Sequence, residues 1–358
     1  MWRTMLLWLG LLGLGVVSLA APKIGVDQAS WDFGEVVEGM LVEHAFVLTN
    51  LGDVPLVFTH NPTTTCGCTV AALPKKVLQP GESIELEVTF DSTGYGGHYV
   101  RKGIYVFTND PQTPELHLYI TGYVKRTKPY QFSARYLAYD FYILVDIRSQ
   151  KEYEKAHLLG AVNIPAEELK AKLELLPPGA LIYLYDADGK QAPAIVQELI
   201  QRYGRRFARA IEGGLSGWIQ DLGYLFVVRP EVAPLSLGAP SRAGRYTVKP
   251  RYVAAEYIVL LDLRSAEEFA AEHFPGAINL TPAELPQWVA QNLPRPGDLP
   301  QGTGYRIWCL DDNGTSACAS AEYLRSQGYP AVCVVGGLAQ WFLRYGDTFF
   351  WHGGKEGD

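Results

Sequence analysis

The chain contains one stretch of sequence twice. Arg135-Tyr136 leading to Leu144-Val145-Asp146-Ile147-Arg148-Ser149 reappears as Arg251-Tyr252 leading to Leu260-Leu261-Asp262-Leu263-Arg264-Ser265. The copies keep one offset, so that Asp146 answers to Asp262 and His157 to His273. Each closes on a glycine pair followed by tryptophan: Gly213-Gly214 with Trp218, then Gly336-Gly337 with Trp341. A unit of this length, about a hundred residues, is a whole domain. Two copies of one domain share a fold, and where they differ they are free to differ in chemistry.

Within each copy an apolar strand (residues 142–147 and 258–263) gives way to a polar helix and then to Gly160-Ala161-Val162-Asn163 or Gly276-Ala277-Ile278-Asn279. A further helix, a buried strand, a long amphipathic helix and a last strand into Gly-Gly follow. Strand alternating with helix predicts a parallel sheet covered on both faces. Pro230, Pro234, Pro240 and Pro250 with Gly238 and Gly244 predict an extended linker between the copies.

Ahead of the repeats, residues 41–50 and 84–90 alternate polar with apolar side chains, and residues 103–108 and 116–124 continue the pattern. Pro80-Gly81, Gly94-Tyr95-Gly96-Gly97 and Asn109-Asp110-Pro111 supply the turns. Short alternating strands at this spacing predict a two-sheet sandwich. The fold class is therefore multi-domain: an all-β sandwich over 22–127, then α/β domains over 128–229 and 245–350. Residues 230–244 are the linker and 351–358 a C-terminal tail. With 358 residues and 48% hydrophobic side chains, the chain can fill three cores.

A net charge of −7 without a run of Lys or Arg excludes nucleic acid as the main partner, because phosphate binding needs clustered positive charge. Arg202, Arg205, Arg206 and Arg209 form one basic cluster, read as a solvated helix end. Residues 1–21 carry Arg3, an apolar run from Met5 and a small-residue close at Ser18-Leu19-Ala20, the features of an export signal. The expectation is an exported protein, periplasmic or on the extracytoplasmic face of the cytoplasmic membrane, anchored through residues 5–21 if that segment is uncleaved; the run touches the lower length limit for a span.

The five cysteines are Cys66, Cys68, Cys309, Cys318 and Cys333, an odd number that leaves at least one thiol unpaired within a monomer. On an extended strand the sulfurs of Cys66 and Cys68 share a face. That arrangement suits a soft metal with His60 or His98 nearby, or a packing or redox-linked pair, and a bond between the two would close a very small ring. No second ligand pair with recognisable spacing accompanies them, so neither metal nor cofactor is expected.

Two resemblances follow from these residues. Trp31-Asp32-Phe33-Gly34, Asn50-Leu51-Gly52, Thr65-Cys66-Gly67-Cys68-Thr69, Leu78-Gln79-Pro80-Gly81-Glu82 and Thr108-Asn109-Asp110 resemble the Ig-like domain of exported bacterial proteins related to hydin-type sandwiches. This resemblance implies a fold and a compartment but no activity. The pattern Asp-x-Arg-Ser-x-x-Glu-(Tyr/Phe)-x-x-x-His-x-x-Gly-Ala-x-Asn, with its Gly-Gly and Trp close, resembles the rhodanese family across both repeats. The first copy has Leu159 where that family carries Pro, and the second keeps Pro275. For active members the resemblance implies a Cys at the end of the fourth strand, opening a loop that wraps an anion. The thiol takes sulfur as a persulfide and passes it to a thiol or cyanide. Such a thiol needs its pKa depressed by loop N–H groups, a helix N-terminus and a nearby Arg.

In the first repeat the fourth strand runs into Asp186-Ala187-Asp188-Gly189-Lys190-Gln191, which sets Asp186 at the nucleophile position. A carboxylate cannot carry a persulfide, so this site is degenerate. In the second repeat the strand reaches Cys309, followed by Leu310-Asp311-Asp312-Asn313-Gly314-Thr315-Ser316. One gap placement makes Cys309 the nucleophile of a lengthened loop. Another sets Asp311 opposite Asp186 and turns Cys309 into an inward strand residue. No Lys or Arg stands between Cys309 and Ala321, while adjacent carboxylates raise a thiol pKa and repel thiosulfate. Cys318 is a candidate resolving partner for Cys309, and Cys333 reads as core. Thr315 stands where a Cys-x5-Arg phosphatase requires Arg, which excludes that chemistry. His157 and His273, with the Asp146–Arg148 and Asp262–Arg264 pairs, read as hydrogen-bonded scaffold.

Two functions follow. One is a membrane-associated, non-catalytic scaffold or binding subunit with protein partners. The other is a sulfur relay or thiol-redox protein using Cys309, with Cys66, Cys68 and Cys318 as further redox thiols. Phe349-Phe350-Trp351, after the last domain closes, mark either a contact surface or a tail packed back on the second repeat.

Overall fold

The computed structural model describes residues 20–230, 235–242 and 244–353. The expected export signal, apart from Ala20 and Ala21, and Pro234 of the linker lie outside the described residues. Among the described residues no helix is long and apolar enough to cross a membrane. The chain forms two compact units. One comprises residues up to 34, 42–91 and 99–123, and the other residues 35–41, 92–98 and 124 onward.

The N-terminal strands build a sandwich of two four-stranded sheets. One runs in the order Ile24–Val26, Leu41–Asn50, Ser83–Asp91, Thr69–Ala72, and the other in the order Ser30–Val37, Glu115–Lys125, His98–Phe107, Thr63–Thr64. The period of two survives intact in Ser83–Asp91, where Leu86, Val88 and Phe90 are buried and Glu85 and Glu87 exposed. The Asn-Leu-Gly motif is a side-chain pin. Asn50, fully buried, donates from Nδ2 to the carbonyls of Val54 (2.8 Å) and Leu78 (3.0 Å) and accepts from Gly52 N (2.9 Å). A buried amide satisfied on both sides costs little and fixes three segments at once.

Each repeat is built on a five-stranded, wholly parallel sheet. The first is ordered Ala161–Asn163, Tyr142–Asp146, Leu181–Tyr185, Ala208–Ile211, Thr247–Val248; the second Gln131–Phe132, Ala331–Val334, Tyr305–Leu310, Tyr257–Asp262, Ile278–Asn279. The central strands are buried almost throughout, as expected of parallel strands covered on both faces.

The edge strands hold a feature the sequence did not suggest. Gln131–Phe132 opens the first repeat but pairs with the second repeat's sheet, Gln131 opposite Cys333 and Phe132 opposite Val334. Thr247–Val248 opens the second repeat but pairs with the first repeat's sheet, Thr247 opposite Ala210 and Val248 opposite Ile211. The repeats thus exchange their leading strands. Their cores are correspondingly shared: one apolar cluster joins Leu144, Tyr185 and Trp218 to Tyr257, Leu261 and Ile307, and the other joins Leu137 and Ile182 to Phe274, Trp308 and Trp341. Tyr257 Oη donates to Leu159 O (2.5 Å), and Ile258 N donates to Tyr142 Oη (3.0 Å). Where Gly160 (φ 74°) meets Gly276 (φ 76°), a Cβ on Gly276 would overlap the Gly160 carbonyl oxygen.

The C-terminal aromatics take the packed alternative. Phe350 and Trp351 are 7% and 5% exposed, Trp351–His352 pairs with Glu272–His273, and Trp351 Nε1 donates to Leu175 O of the first repeat (2.9 Å). This segment is core rather than a contact surface, so residue 351 belongs to the folded unit and removing the segment would expose that core. Trp351→Ala should lower stability by about 3–5 kcal/mol, and because the strands are exchanged, both repeats should unfold in one urea transition. Two separated transitions in wild type would show instead that each repeat stands alone.

Candidate functional site

The repeated motif builds the same frame twice. In the first repeat Arg148 donates from N (3.0 Å) and Nε (2.9 Å) to Asp146 Oδ1, and from Nη2 to Asp146 Oδ2 (2.5 Å) and to Ala156 O (2.6 Å). Arg264 repeats this with Asp262 at 3.1, 3.0 and 2.8 Å and with Glu272 O at 2.7 Å. Asn163 and Asn279 each bridge the carbonyls of their Asp and Arg at about 3 Å. Both ion pairs are buried and bidentate, and each arginine also bonds a backbone carbonyl, the geometry that holds a loop in one place. Glu152 and Glu268 close capping boxes with Ser149 and Ser265 at the next helix.

Beyond the fourth strand each repeat turns through a short loop into a twelve-residue helix, Ala192–Tyr203 or Thr315–Ser326. Backbone N–H groups converge at this turn, and in both repeats an aspartate fills the convergence. The Asp186 carboxylate accepts from Gly189 N, from Gln191 N (2.6 Å) and from Ala192 N (3.0 Å). That of Asp311 accepts from Gly314 N (2.6 Å), Ser316 N (2.8 Å) and Ala317 N (3.1 Å). Both are buried, at 4% and 7% exposure. The backbone carbonyls of the same residues receive Leu215 N and Leu338 N beyond the Gly-Gly turns. Three N–H donors at a helix N-terminus form an anion cradle, and here the anion is the chain's own carboxylate.

Of the two gap placements, the structure takes the one in which Asp311 stands opposite Asp186. Cys309 lies two residues earlier, inside strand Tyr305–Leu310, opposite Leu261 and Cys333. It has no exposed surface, and burial, followed by the negative charge of Asp311, pushes its thiol up to about 12. A thiol in that state is neither ionised nor reachable at neutral pH. Asp312 is raised in turn by burial and by Glu268, against the opposing pull of Arg264. In the first loop Lys190 Nζ is held by Asp188 (2.5 Å).

The rhodanese-like domain model matches residues 132–221 and 250–343, together more than half of the chain. The chain belongs to the rhodanese-like family. Residues 24–124 match a family described as a protein of unknown function, DUF1573. A thiosulfate sulfurtransferase of Pseudomonas aeruginosa is 30% identical to this rhodanese-like chain, the match covering 41% of the chain and 64% of the relative. The uncharacterised protein YqhL of Bacillus subtilis is 31% identical, covering 21% and 59%. The chain therefore spans less than two thirds of the length of these curated relatives. Among solved structures, the thiosulfate sulfurtransferase from Pseudomonas aeruginosa is 20% identical, covering 62% of this chain and 43% of that one with a TM-score of 0.23. A protein of unknown function from Porphyromonas gingivalis is 22% identical, covering 31% and 51% with a TM-score of 0.27.

The other cysteines of this rhodanese-like protein are paired. Cys318, in the first turn of its helix, is bonded to Cys333 on the next strand, not to Cys309. The sequence reading missed this bond; its signal was a cysteine at the start of a helix that returns to the following strand. Cys66 is bonded to Cys68, which leaves neither sulfur as a thiolate for a metal. The two crosslinks differ in what they can do for stability. In the loop-entropy estimate, closing three residues contributes about 1.6 kcal/mol and closing sixteen about 3 kcal/mol.

A cleft of about 870 Å³ opens between the repeats, with Tyr153, His157, Phe269, His273, Trp288 and Trp351 on its walls. His157 stacks on Tyr153 (3.9 Å) and His273 on Phe269 (4.1 Å). Each ring donates from Nδ1 to the carbonyl four residues back, at 2.9 and 2.8 Å. Burial lowers the His157 pKa and keeps that ring neutral at pH 7.

Asp186→Ala or Asp311→Ala strands three N–H groups, and each should cost roughly 2–4 kcal/mol in urea denaturation. Cys309 supplies a pH test. Its thiol titrates near 9 when unfolded and at about 12 when folded, so burying it neutral contributes stability that is complete below about pH 9 and lost between there and about 12. Over that window wild type should lose up to about 1.4 kcal/mol per pH unit more than Cys309→Ala does.

Proposed function

We propose that this rhodanese-like protein is a non-catalytic binding subunit, whose repeats serve as docking surfaces for protein partners. One observation carries the reading: both anion cradles, where an active member of the family would hold its sulfur and substrate, are closed by buried aspartates of the chain itself. A substrate anion would have to displace a tethered carboxylate from three N–H donors; no cysteine stands in the first loop, and the thiol behind the second, Cys309, is buried in its strand. The cleft between the repeats, with its aromatic walls, has the volume of a binding site and suits a partner's side chains. The apolar run from Met5 to Ala21 supports placing the protein at the outer face of the cytoplasmic membrane, and intact mass of the purified protein would show whether that run is retained.

The second reading, a sulfur relay through Cys309, has in its favour the sulfurtransferase relative of Pseudomonas aeruginosa. Against it stands the thiol's burial. Treating the native protein with thiosulfate or polysulfide, then alkylating and reading Cys309 by mass spectrometry, separates the two. No sulfur adduct is expected on Cys309. An adduct found there, and lost in Cys309→Ser, would replace the binding reading with the relay.

A further inference from the structure

The sandwich carries a sulfur site that the binding function does not use. Its C-G-C loop passes from one sheet to the other: Thr63–Thr64 pairs with strand His98–Phe107, and Thr69–Ala72 pairs with strand Ser83–Asp91. Both ends of the loop are therefore fixed. The single Thr64 hydroxyl proton is shared between the carbonyls of Cys66 (2.9 Å) and Thr69 (2.8 Å), Thr69 N donates to Cys66 O (3.2 Å), and Asp91 N donates to Cys68 O (2.8 Å). The bond closes only three residues, so it restrains the unfolded chain less than Cys318–Cys333 does. Its surroundings instead favour exchange. Cys66 and Cys68 are each half-buried as residues, Gly67 between them is exposed, and a side chain there would meet no atom within 4 Å. Val70, beside the loop, is 64% exposed and offers an apolar contact. Beneath the bond, the buried Thr69 places Oγ1 3.7 Å from Cys66 Sγ and 3.8 Å from Cys68 Sγ.

We infer that Cys66–Cys68 is a redox-active disulfide that exchanges with the dithiol of a partner protein. A partner thiolate attacks one sulfur, the Cys66–Cys68 bond breaks, and a mixed disulfide forms. The displaced sulfur leaves with the electron pair as a thiolate. Whichever sulfur leaves, the Thr69 hydroxyl reaches it and donates to the developing charge, which is the stabilisation a leaving thiolate needs. The partner's second thiolate then attacks its own sulfur in the mixed disulfide and releases the second cysteine. Two electrons and two protons pass to Cys66 and Cys68, and the partner dithiol becomes a disulfide. The reverse sequence oxidises the site.

The test uses the oxidised full chain, with dithiothreitol as the dithiol at pH 7, timed alkylation and peptide mass spectrometry. The reference is the oxidised pentapeptide Thr-Cys-Gly-Cys-Thr, which has the sulfurs without the fold. Cys66–Cys68 in the protein should open about tenfold faster than the peptide; Thr69→Val should lose most of that advantage and Thr69→Ser keep it. A folded protein that opens no faster than the peptide overturns the inference, whatever the variants do. So does a Thr69→Val protein that exchanges as fast as wild type.

Discussion

The exchange of leading strands between the repeats is the constraint on which the rest of the second unit depends. A parallel sheet must be covered on both faces and finished at both edges. Each of these sheets is finished at one edge by a strand belonging to the other repeat, Gln131–Phe132 in one direction and Thr247–Val248 in the other. Neither sheet is complete until both repeats are present. The shared clusters, the Tyr257 and Tyr142 bonds across the boundary and the return of Trp351 to Leu175 follow from that closeness. Duplication produced one interlocked body with a cleft in it, and the cleft exists because two half-walls, Tyr153 with His157 and Phe269 with His273, were brought face to face.

How much of this was legible in the sequence depended on the range of the interaction. The Asp-x-Arg-Ser motif announces a local structure, because Arg148 and Arg264 bond carboxylates two residues away and carbonyls eight residues away. The alternation in residues 84–90 likewise announces a half-buried strand. The sheet partner of Gln131–Phe132 was not legible. Two residues carry no pairing signal, and the strand they meet lies some two hundred positions later. The fate of Phe349-Phe350-Trp351 stayed open for the same reason: apolar residues say that they want cover, not what covers them.

Cys309 shows a subtler limit. A strand ending in Cys just before a polar loop fits the rhodanese pattern in one register, and two residues on, Asp311 fits it in another. The sequence leaves both open because the loop-length difference between repeats can be absorbed on either side of the strand. The structure resolves it by counting donors. The turn presents three N–H groups to a single point, and a carboxylate with two oxygens at Asp311 satisfies them, whereas a thiol at 309 would lie a full strand repeat short of them.

That donor count also explains why the two repeats agree. A cradle of converging N–H groups at a helix N-terminus is unfavourable when empty and dry, since each unpaired donor carries the desolvation cost of a lost hydrogen bond. A catalytic loop resolves the problem with a thiolate, a persulfide or a bound substrate, all of which come and go. A resident aspartate resolves it permanently, with a charge that needs no cofactor and no turnover. The first and second loops share little sequence beyond that aspartate and the glycine three residues on, Asp186 with Gly189 and Asp311 with Gly314, yet they make the same three kinds of bond. The retained part is what the fold requires of the loop, while the surrounding residues, Ala187 and Lys190 in one loop and Asp312 and Thr315 in the other, differ between the repeats.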